Sequence, residues 1–337
     1  MKEALFYQKL DGNDVKCALC NHRCLIQEGQ RGICGVRENK GGILYSLVYG
    51  RCISQAIDPV EKKPLYHFHP GSSSFSIATV GCNFSCKHCQ NYSISQLVRD
   101  HGKIVGDDVF PNEVVKTAKK YHCSSISYTY TEPTVFYEYA YDIAVLAHEQ
   151  GLKNIFVTNG YITPEALRNI QPHLDGANVD LKSFSDTFYK KICGARLEPV
   201  LESLRLYKQL GIWLEITTLI IPTYNDSDEE LKNIADFIFH LDANIPWHIS
   251  AYYPTYKLND QPRTSMQILR KAREIGMKAG LRYVYEGNIP CETGENTYCY
   301  SCGTLLIERK GFAISRYTIK EGRCPDCQVK IDGVGLL

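Results

Sequence analysis

Three cysteines stand close together in the segment GCNFSCKHCQN, where Cys82, Cys86 and Cys89 form a C-x3-C-x2-C pattern. Thiolates at such short spacing are typical ligands of an iron–sulfur cluster. These clusters normally take four protein ligands, so a set of three predicts one iron with an open coordination position. A metal centre with an open position can act on a bound molecule instead of only holding the fold together. Three structural thiols, or part of a zinc site completed elsewhere, are the alternatives.

Two further sets of four cysteines flank this loop, and four of the 15 cysteines, Cys52, Cys123, Cys193 and Cys291, belong to no set. The carboxyl-terminal set consists of two Cys-x2-Cys pairs separated by 21 residues, which is the spacing of a zinc ribbon. Its four thiolates predict structural zinc, with rubredoxin-like iron or an auxiliary iron–sulfur cluster as alternatives. The amino-terminal set fits zinc and iron–sulfur sites equally well, and His22 is an alternative ligand there. The carboxyl-terminal set is Cys299, Cys302, Cys324 and Cys327, and the amino-terminal set is Cys17, Cys20, Cys24 and Cys34.

The composition excludes several other classes of function. The 337 residues carry a formal net charge of +1, which provides no field to attract nucleic acid or an anionic membrane. No apolar run approaches the roughly 18 residues that a membrane span needs. Because the opening residues contain no apolar segment of signal-peptide type, we expect a reducing, cytoplasmic compartment, where clustered cysteines are more often metal ligands than disulfides.

The segments that must position these residues alternate between short apolar runs and helix-length stretches, beginning near residue 74. This alternation is typical of repeated βα units around a parallel sheet, and we count six units. The regions before residue 71 and after residue 290 lack the rhythm and contain the two four-cysteine sets. The predicted strands are 74–80, 124–131, 154–160, 177–184, 213–222 and 247–254.

The cysteine loop resembles the motif of the radical S-adenosylmethionine (SAM) superfamily, C-x3-C-x-aromatic-C, with His88 at the aromatic position. The resemblance implies that the three cysteines hold a 4Fe-4S cluster and that SAM chelates the fourth iron. It further implies reductive cleavage of SAM to methionine and a 5'-deoxyadenosyl radical, which abstracts hydrogen from a substrate. The implied fold is an α/β partial (β/α)6 TIM-like barrel, in agreement with the six predicted units.

Residues 70–290 resemble the activating-enzyme branch related to pyruvate formate-lyase activating enzyme. The whole chain is similar to the radical enzymes of the AmmeMemoRadiSam system, in the segments DPVEKKPLYHFHPGS, YTYTEPTVFYEY, NVDLKSF, ITTLIIPTYNDS and YVYEGN. We therefore expect a cysteine-rich region at 1–70, a radical SAM core at 71–290 and a zinc-ribbon-like module at 291–337.

Cofactor-binding candidates lie at the ends of the predicted strands, where barrels of this kind carry their functional residues. Glu132, in Thr131-Glu132-Pro133, occupies the place of the family's Gly-Gly-Glu-Pro motif, which by resemblance binds the amino group of SAM. Tyr130 and Thr131 replace both glycines, so we expect the loop to curve differently or to approach less closely. The other candidates that face SAM are His88, Asn159, Asp180 and Lys182.

Aromatic side chains on two of the predicted strands are candidates for lining the substrate cavity, although aromatic residues at strand spacing more often belong to the core. These candidates are Tyr128, Tyr130, His248, Tyr252 and Tyr253.

The leading hypothesis is a radical SAM enzyme that acts on a small molecule or a protein. It needs a low-potential electron donor of the flavodoxin or ferredoxin type. The first alternative is an activating enzyme that abstracts hydrogen from a backbone glycine of a partner protein, and the second is a non-catalytic metal-binding interaction protein. The resemblance to the AmmeMemoRadiSam system implies Memo-like and Ammecr-domain proteins as partners.

Overall fold

The computed structural model describes residues 1–289 and 293–336. Cys291 and the predicted boundary between residues 290 and 291 lie outside the described residues. No helix in the described part of the chain is long and apolar enough to cross a membrane.

The amino-terminal region forms small antiparallel sheets with the strand orders β1-β6-β5 and β2-β3-β4, and a short pair, β7 with β10. Cys17 ends β3, and the other three cysteines of the set lie in the turns that follow β3 and β4. The strands are β1 Lys2–Glu3, β2 Tyr7–Lys9, β3 Val15–Cys17, β4 Leu25–Ile26, β5 Arg37–Lys40, β6 Ile43–Ser46, β7 Arg51–Cys52 and β10 Asp107–Asp108.

The main sheet has eight strands in the order β16-β15-β14-β13-β12-β11-β9-β8. Seven of them run parallel, and β8 pairs antiparallel with β9 at the edge. The strands KNIFVT and WLEITTLI are buried along most of their length, as expected where helices cover both faces of a parallel sheet. The six predicted strands are all present, and β8 and β16 extend the sheet. The strands are β8 Ser54–Pro59, β9 Ser73–Ala78, β11 Ser125–Tyr128, β12 Lys153–Thr158, β13 Gly176–Asp180, β14 Trp213–Ile220, β15 Trp247–Ala251 and β16 Val284–Gly287.

Helices connect the parallel strands, and their ends follow local sequence signals. Ser227 accepts a hydrogen bond from the Glu230 amide at the start of α8, whereas the Glu230 carboxylate accepts from the amide of Phe184 and so does not complete a capping box. The helices are α1 Tyr92–Ser95, α2 Leu97–His101, α3 Pro111–Lys120, α4 Tyr137–Glu149, α5 Pro164–Ile170, α6 Asp186–Phe188, α7 Glu198–Gln209, α8 Asp228–Leu241 and α9 Met266–Lys278.

The carboxyl-terminal strands β17 Thr297–Tyr298, β18 Leu305–Lys310 and β19 Ala313–Tyr317 form a separate antiparallel sheet. The buried Arg309 fastens this sheet to the segment before the barrel, because its Nη2 donates to the carbonyl of Tyr66 at 2.9 Å. The backbone of Phe68 also bridges to Val334. The division into three regions stays a prediction, and β8, from the predicted amino-terminal region, belongs to the main sheet.

Candidate active site

The three-cysteine loop follows β9, the first parallel strand, and is held by the turn that follows α6. The amide of Ser85 donates to the carbonyl of Cys193 at 2.8 Å, and the amide of Lys87 donates to that of Ile192 at 3.0 Å. Residues Tyr189–Cys193 form a single π turn. The loop is therefore fixed to the protein through its backbone as well as through any metal.

The thiols of this loop line one cavity of about 400 Å³. Cys86 is buried, while Cys82 and Cys89 are half-buried. The Sγ of Cys82 accepts from the Phe84 amide at 3.4 Å, and the Sγ of Cys89 lies 3.1 Å from the hydroxyl of Ser95. Hydrogen bonds of this kind stabilise thiolates, which are the form that binds iron.

The remaining walls of the cavity come from the carboxyl ends of successive strands. Glu132 follows β11, Asn159 follows β12, and Asp180 ends β13. Thr217 and Ser250 lie on β14 and β15. The structure therefore brings the predicted cofactor-facing residues together around the three thiols. The predicted residues that line this cavity are His88, Tyr130, Glu132, Asn159, Asp180 and Lys182.

Glu132 is buried and already well supplied with donors. Its Oε1 accepts from the amide of Thr134 at 3.0 Å and from the hydroxyls of Thr134 and Thr158 at 2.6 and 2.7 Å. Its Oε2 accepts from the amide of Asn159 at 2.8 Å, which leaves that oxygen with acceptor capacity. Burial raises the pKa of this carboxyl. Glu132 thus joins the ends of β11 and β12 and offers one oxygen to a cationic ligand.

Tyr130 has a backbone conformation that favours glycine. Its φ of 62° lies in the left-handed region, which is costly for a residue with a side chain. The side chain lines the cavity, and its hydroxyl donates to Asp58. The loop therefore passes through a left-handed residue at this point and places a phenol at the cavity.

We expect a Tyr130→Gly variant to be more stable than Tyr130→Ala by about 1 kcal/mol, because only glycine adopts this φ without strain. Both variants lose the same ring and the same hydrogen bond, so urea unfolding of the pair isolates the backbone contribution. Equal free energies of unfolding for the two variants would contradict the strain argument.

Two lysines at the cavity have no counterpart among the sequence candidates. Lys63 is buried, and its Nζ donates to Asp58 at 2.6 Å and to Ser76 at 2.5 Å. Burial lowers its pKa to about 8 although Asp58 opposes the shift. The Nζ of Lys62 donates to the second oxygen of Asp58 at 2.8 Å. The segment DPVEKKPLYHFHPGS contains both lysines, but the pairing with Tyr130 depends on the fold.

Asp180 and Lys182 form an ion pair across one face of the chain after β13, with Nζ to Oδ2 at 2.7 Å. The Asp180 side chain is 36% exposed and that of Lys182 is 15% exposed. Although burial opposes it, the charges of Asp180 and of the nearby cysteines raise the pKa of Lys182 well above its usual value. Lys182 is therefore a fixed cation beside the cysteine loop.

Cys193, outside the three cysteine sets, lies beside the loop. The ligand atoms of Cys86, His88 and Cys193 all lie within 4.8 Å of one another, and all three residues are buried. Burial lowers the pKa of His88 to about 3, and its Nδ1 has no hydrogen-bond partner among the residues that the structure describes. Sequence spacing gave no signal for Cys193, because it is 107 residues from Cys86 and approaches it only through the π turn.

Four of the five aromatic substrate candidates do not line this cavity. Tyr128 is buried and its hydroxyl donates to Asn154 at 3.0 Å, while the hydroxyl of Tyr252 donates to the carbonyl of Leu258. The Nε2 of His248 lies 2.6 Å from the buried carboxylate of Glu215. Tyr253 is half-buried and packs against the main core. Tyr130 alone among the five faces the cavity.

The carboxyl-terminal cysteines form a compact group whose four sulfur atoms all lie within 4.8 Å of one another. Cys299 and Cys327 are 3.6 Å apart, as are Cys302 and Cys324. Tetrahedral zinc with Zn–S bonds of 2.3 Å separates its sulfur ligands by about 3.8 Å, so the group fits one tetrahedral ion. Iron in the same geometry fits equally well. The module packs near Trp247 and Tyr283, at the strand ends opposite the cavity.

We expect a Cys302→Ser/Cys327→Ser variant to lose one metal ion and the hydrogen-exchange protection of β18 and β19. A closed metal shell supplies folding energy that a core this small lacks, so its loss should unfold this module locally. Exchange at the three-cysteine loop should stay unchanged, because the module lies at the other end of the strands. Mass spectrometry after deuterium labelling measures both regions, and exchange spreading to the loop would contradict the separation.

Residues 76–238 match the family described as the Radical SAM superfamily. An uncharacterized protein of Methanocaldococcus jannaschii is 49% identical over 335 residues, which is 98% of this chain and 99% of the relative. The pyruvate formate-lyase-activating enzyme of Clostridium pasteurianum is 25% identical over 215 residues, which is 61% of this chain and 89% of that enzyme.

Solved structures show the same fold. SuiB of Streptococcus suis bound to S-adenosylmethionine aligns with a TM-score of 0.52 and 13% identity, over 68% of this chain and 53% of SuiB. A radical SAM methyltransferase of Sphaerobacter thermophilus aligns with a TM-score of 0.51 and 14% identity, over 71% of each chain. These likenesses concern the fold alone, and they confirm the predicted α/β architecture of the radical SAM type. The chain therefore belongs to the radical SAM superfamily and is similar to the pyruvate formate-lyase activating enzymes.

Proposed function

We propose that this chain reductively cleaves SAM and uses the resulting radical to abstract hydrogen from a substrate. The observation that carries the proposal is the cavity with three thiols on one wall and polar strand ends on the others. A structural metal site needs no such cavity, because a closed shell of ligands excludes other molecules.

The residues present fit a 4Fe-4S cluster with one iron left for a ligand. Cys82, Cys86 and Cys89 would hold the cluster, and the cavity beside them has room for a molecule of SAM size. When bound, the cluster supplies the electron that splits the sulfonium of SAM into methionine and a 5'-deoxyadenosyl radical. The buried, unpartnered Nδ1 of His88 is a polar atom that a ligand in this cavity would satisfy.

The charged groups around the cavity would orient SAM. The free capacity of Glu132 Oε2 suits the amino group, because a carboxylate accepts strongly from an ammonium. The cation of Lys182 beside Asp180 suits the carboxylate end of the same molecule. Asn159 donates to Asn83 at 2.7 Å and so ties the end of β12 to the cysteine loop. Its role is to position that loop.

Tyr130, with Asp58 and Lys63 behind it, marks the wall that would face the substrate. The phenol is held in a strained backbone position at the cavity, and such strain persists only where surrounding contacts enforce it. The buried hydrogen bonds to Asp58 supply that enforcement. A Tyr130→Phe variant keeps the ring and removes the hydroxyl, so it separates contact by the ring from chemistry at the oxygen.

The second candidate is an activating enzyme that acts on a backbone glycine of a partner protein. The observation in its favour is the sequence similarity to a pyruvate formate-lyase-activating enzyme. The phenol of Tyr130 in place of a glycine and the two additional cysteine sets distinguish this chain from the simple activating-enzyme pattern. We therefore favour the AmmeMemoRadiSam assignment, with Memo-like and Ammecr-domain partners. The third candidate, a non-catalytic metal-binding protein, does not account for the cavity beside the three thiols.

The test is formation of 5'-deoxyadenosine and methionine from SAM by anaerobically reconstituted protein with a reduced flavodoxin or ferredoxin as donor. The thiolates require a reducing compartment, so we assign the chain to the cytoplasm. Equal amounts of the two products would support the proposal. A fully loaded cluster that yields neither product, with or without the Memo-like and Ammecr-domain proteins, would overturn it. A glycyl-radical signal in a partner protein would favour the second candidate.

A further inference from the structure

We propose that the four amino-terminal cysteines hold an iron–sulfur cluster of their own and not a single zinc ion. Cys17, Cys20, Cys24 and Cys34 line one small cavity between the amino-terminal sheets and the barrel. This site is separate from the three-cysteine loop, so the proposal does not depend on what substrate the enzyme uses.

The spacing of the thiols distinguishes the two kinds of site within this one chain. The carboxyl-terminal sulfur atoms all lie within 4.8 Å of one another, as ligands of one ion must. In the described residues, no three of the amino-terminal thiols meet that limit. Thiolates around a cluster bind different iron atoms and point outward from a larger core, so they stand farther apart than ligands of one ion.

The three-cysteine loop provides an internal reference, because its family uses a 4Fe-4S cluster. Cys82, Cys86 and Cys89 surround a cavity and, like the amino-terminal set, do not form a group within 4.8 Å of one another. The separation of its sulfur atoms therefore places the amino-terminal set with the three-cysteine loop and not with the carboxyl-terminal module.

A buried cation provides a second, independent observation. Arg37 is 2% exposed and lines the same cavity as the four thiols. Its Nη1 donates to Glu138 and its Nη2 donates to the carbonyl of Leu5 at 2.6 Å, but within 1–289 and 293–336 its Nε has no hydrogen-bond partner. An unsatisfied buried N–H costs free energy unless an acceptor is present. A cluster sulfur or a metal-bound cysteine thiolate would be that acceptor, so the site is built to hold a bound group.

The site lies directly against the three-cysteine loop. Gly81, the residue before Cys82, has a φ of 102°, and a Cβ there would lie 3.3 Å from the carbonyl oxygen of Cys34. The Nε2 of His22 lies 2.8 Å from the carbonyl oxygen of Asn83. The two cysteine sets are thus adjacent through their flanking residues.

The two cavities also share a wall. Thr134 lines the amino-terminal cavity and donates to Glu132, which lines the cavity beside the three-cysteine loop. A cluster at the amino-terminal set would therefore be a neighbour of a cluster in the loop, and single electrons would pass from the first to the second. The transfer moves one electron and no atoms, and the flavodoxin or ferredoxin donor supplies that electron.

The decisive variant is Cys82→Ala/Cys86→Ala/Cys89→Ala, purified anaerobically as the full chain with both iron and zinc in the medium. It leaves both four-cysteine sets intact, so iron, zinc and acid-labile sulfide per chain report on those two sets without the three-cysteine loop. We expect iron and sulfide to be retained. A chain with no sulfide and a second equivalent of zinc would overturn the proposal.

Two additions to this triple variant assign the retained sulfide. Cys20→Ala/Cys24→Ala should remove it, whereas Cys302→Ala/Cys327→Ala should leave it unchanged. Loss of sulfide with the second addition instead of the first would assign the cluster to the carboxyl-terminal module and overturn the proposal. The measurement needs no SAM, so a sulfide-bearing triple variant beside a wild type that forms no 5'-deoxyadenosine would disprove only the proposed function.

Electron paramagnetic resonance tests the contact between the two sites. In fully reduced wild-type protein, two adjacent paramagnetic clusters should broaden each other's signals. The spectrum should therefore differ from the sum of the spectra of the triple variant and of the Cys20→Ala/Cys24→Ala variant. Exact agreement with that sum would contradict the arrangement derived from Gly81 and His22.

Discussion

Replacing Cys86 by alanine should reduce 5'-deoxyadenosine formation from SAM to the background without enzyme. Cys86 is the most buried thiol of the loop, and Cys193 and the Lys182 cation lie close to it. A three-ligand site that loses one ligand keeps too few thiolates to retain a 4Fe-4S cluster. The loss should therefore appear in iron and sulfide content as well as in product.

Cys123→Ala is the matched control for this prediction. Cys123 is buried and follows α3, and it belongs to none of the cysteine sets or cavities described here. It should retain product formation together with wild-type iron and sulfide. Liquid chromatography of anaerobic reactions measures the nucleoside in both variants. Product from Cys86→Ala with a wild-type metal content would refute the assignment of the loop as the cluster site.

The parallel sheet and the cysteine loop could be predicted from the sequence because their signals are local. Each parallel strand is an apolar run within a few residues, and the three thiols lie within eight positions of one another. Strand polarity then fixes which end of the sheet the loop and the polar strand ends share. This explains why Glu132, Asn159, Asp180 and Lys182 were found together around one cavity.

The rest of the cavity depends on contacts between distant segments. Lys63 reaches Tyr130 through Asp58, and Cys193 approaches Cys86 through a π turn that no propensity predicts. The alternation of side chains along a strand predicts which face of the sheet a residue lies on, but not which groups it contacts there. His248 has the spacing of a cavity residue, yet it lies in a buried polar group with Glu215. The hydrogen bond to Asp58 therefore holds Tyr130 at the cavity, whereas the contact with Glu215 holds His248 in the core.

An Arg37→Met variant should lose about 3–5 kcal/mol of unfolding free energy, which is the usual cost of removing one partner of a buried ion pair. Arg37 lies on β5 and Glu138 on α4, and Nη1 lies 2.9 Å from Oε1 with both side chains at most 2% exposed. Without the guanidinium, the Glu138 carboxylate stays buried and keeps only the amide of Leu5 as a donor among these contacts. The pair joins the amino-terminal sheets to the barrel, so its loss weakens that attachment.

Arg51→Met is the control, because Arg51 also pairs with a carboxylate at 2.9 Å but both side chains are exposed, at 41% and 69%. Solvent screens such a pair, so the loss should be no more than about 1 kcal/mol. The double variant Arg37→Met/Glu138→Leu removes both charges and should recover much of the stability. Urea unfolding of anaerobic samples gives all three values. If the double variant were as unstable as Arg37→Met, the loss would come from the cysteine site beside Arg37 and not from an unpaired carboxylate.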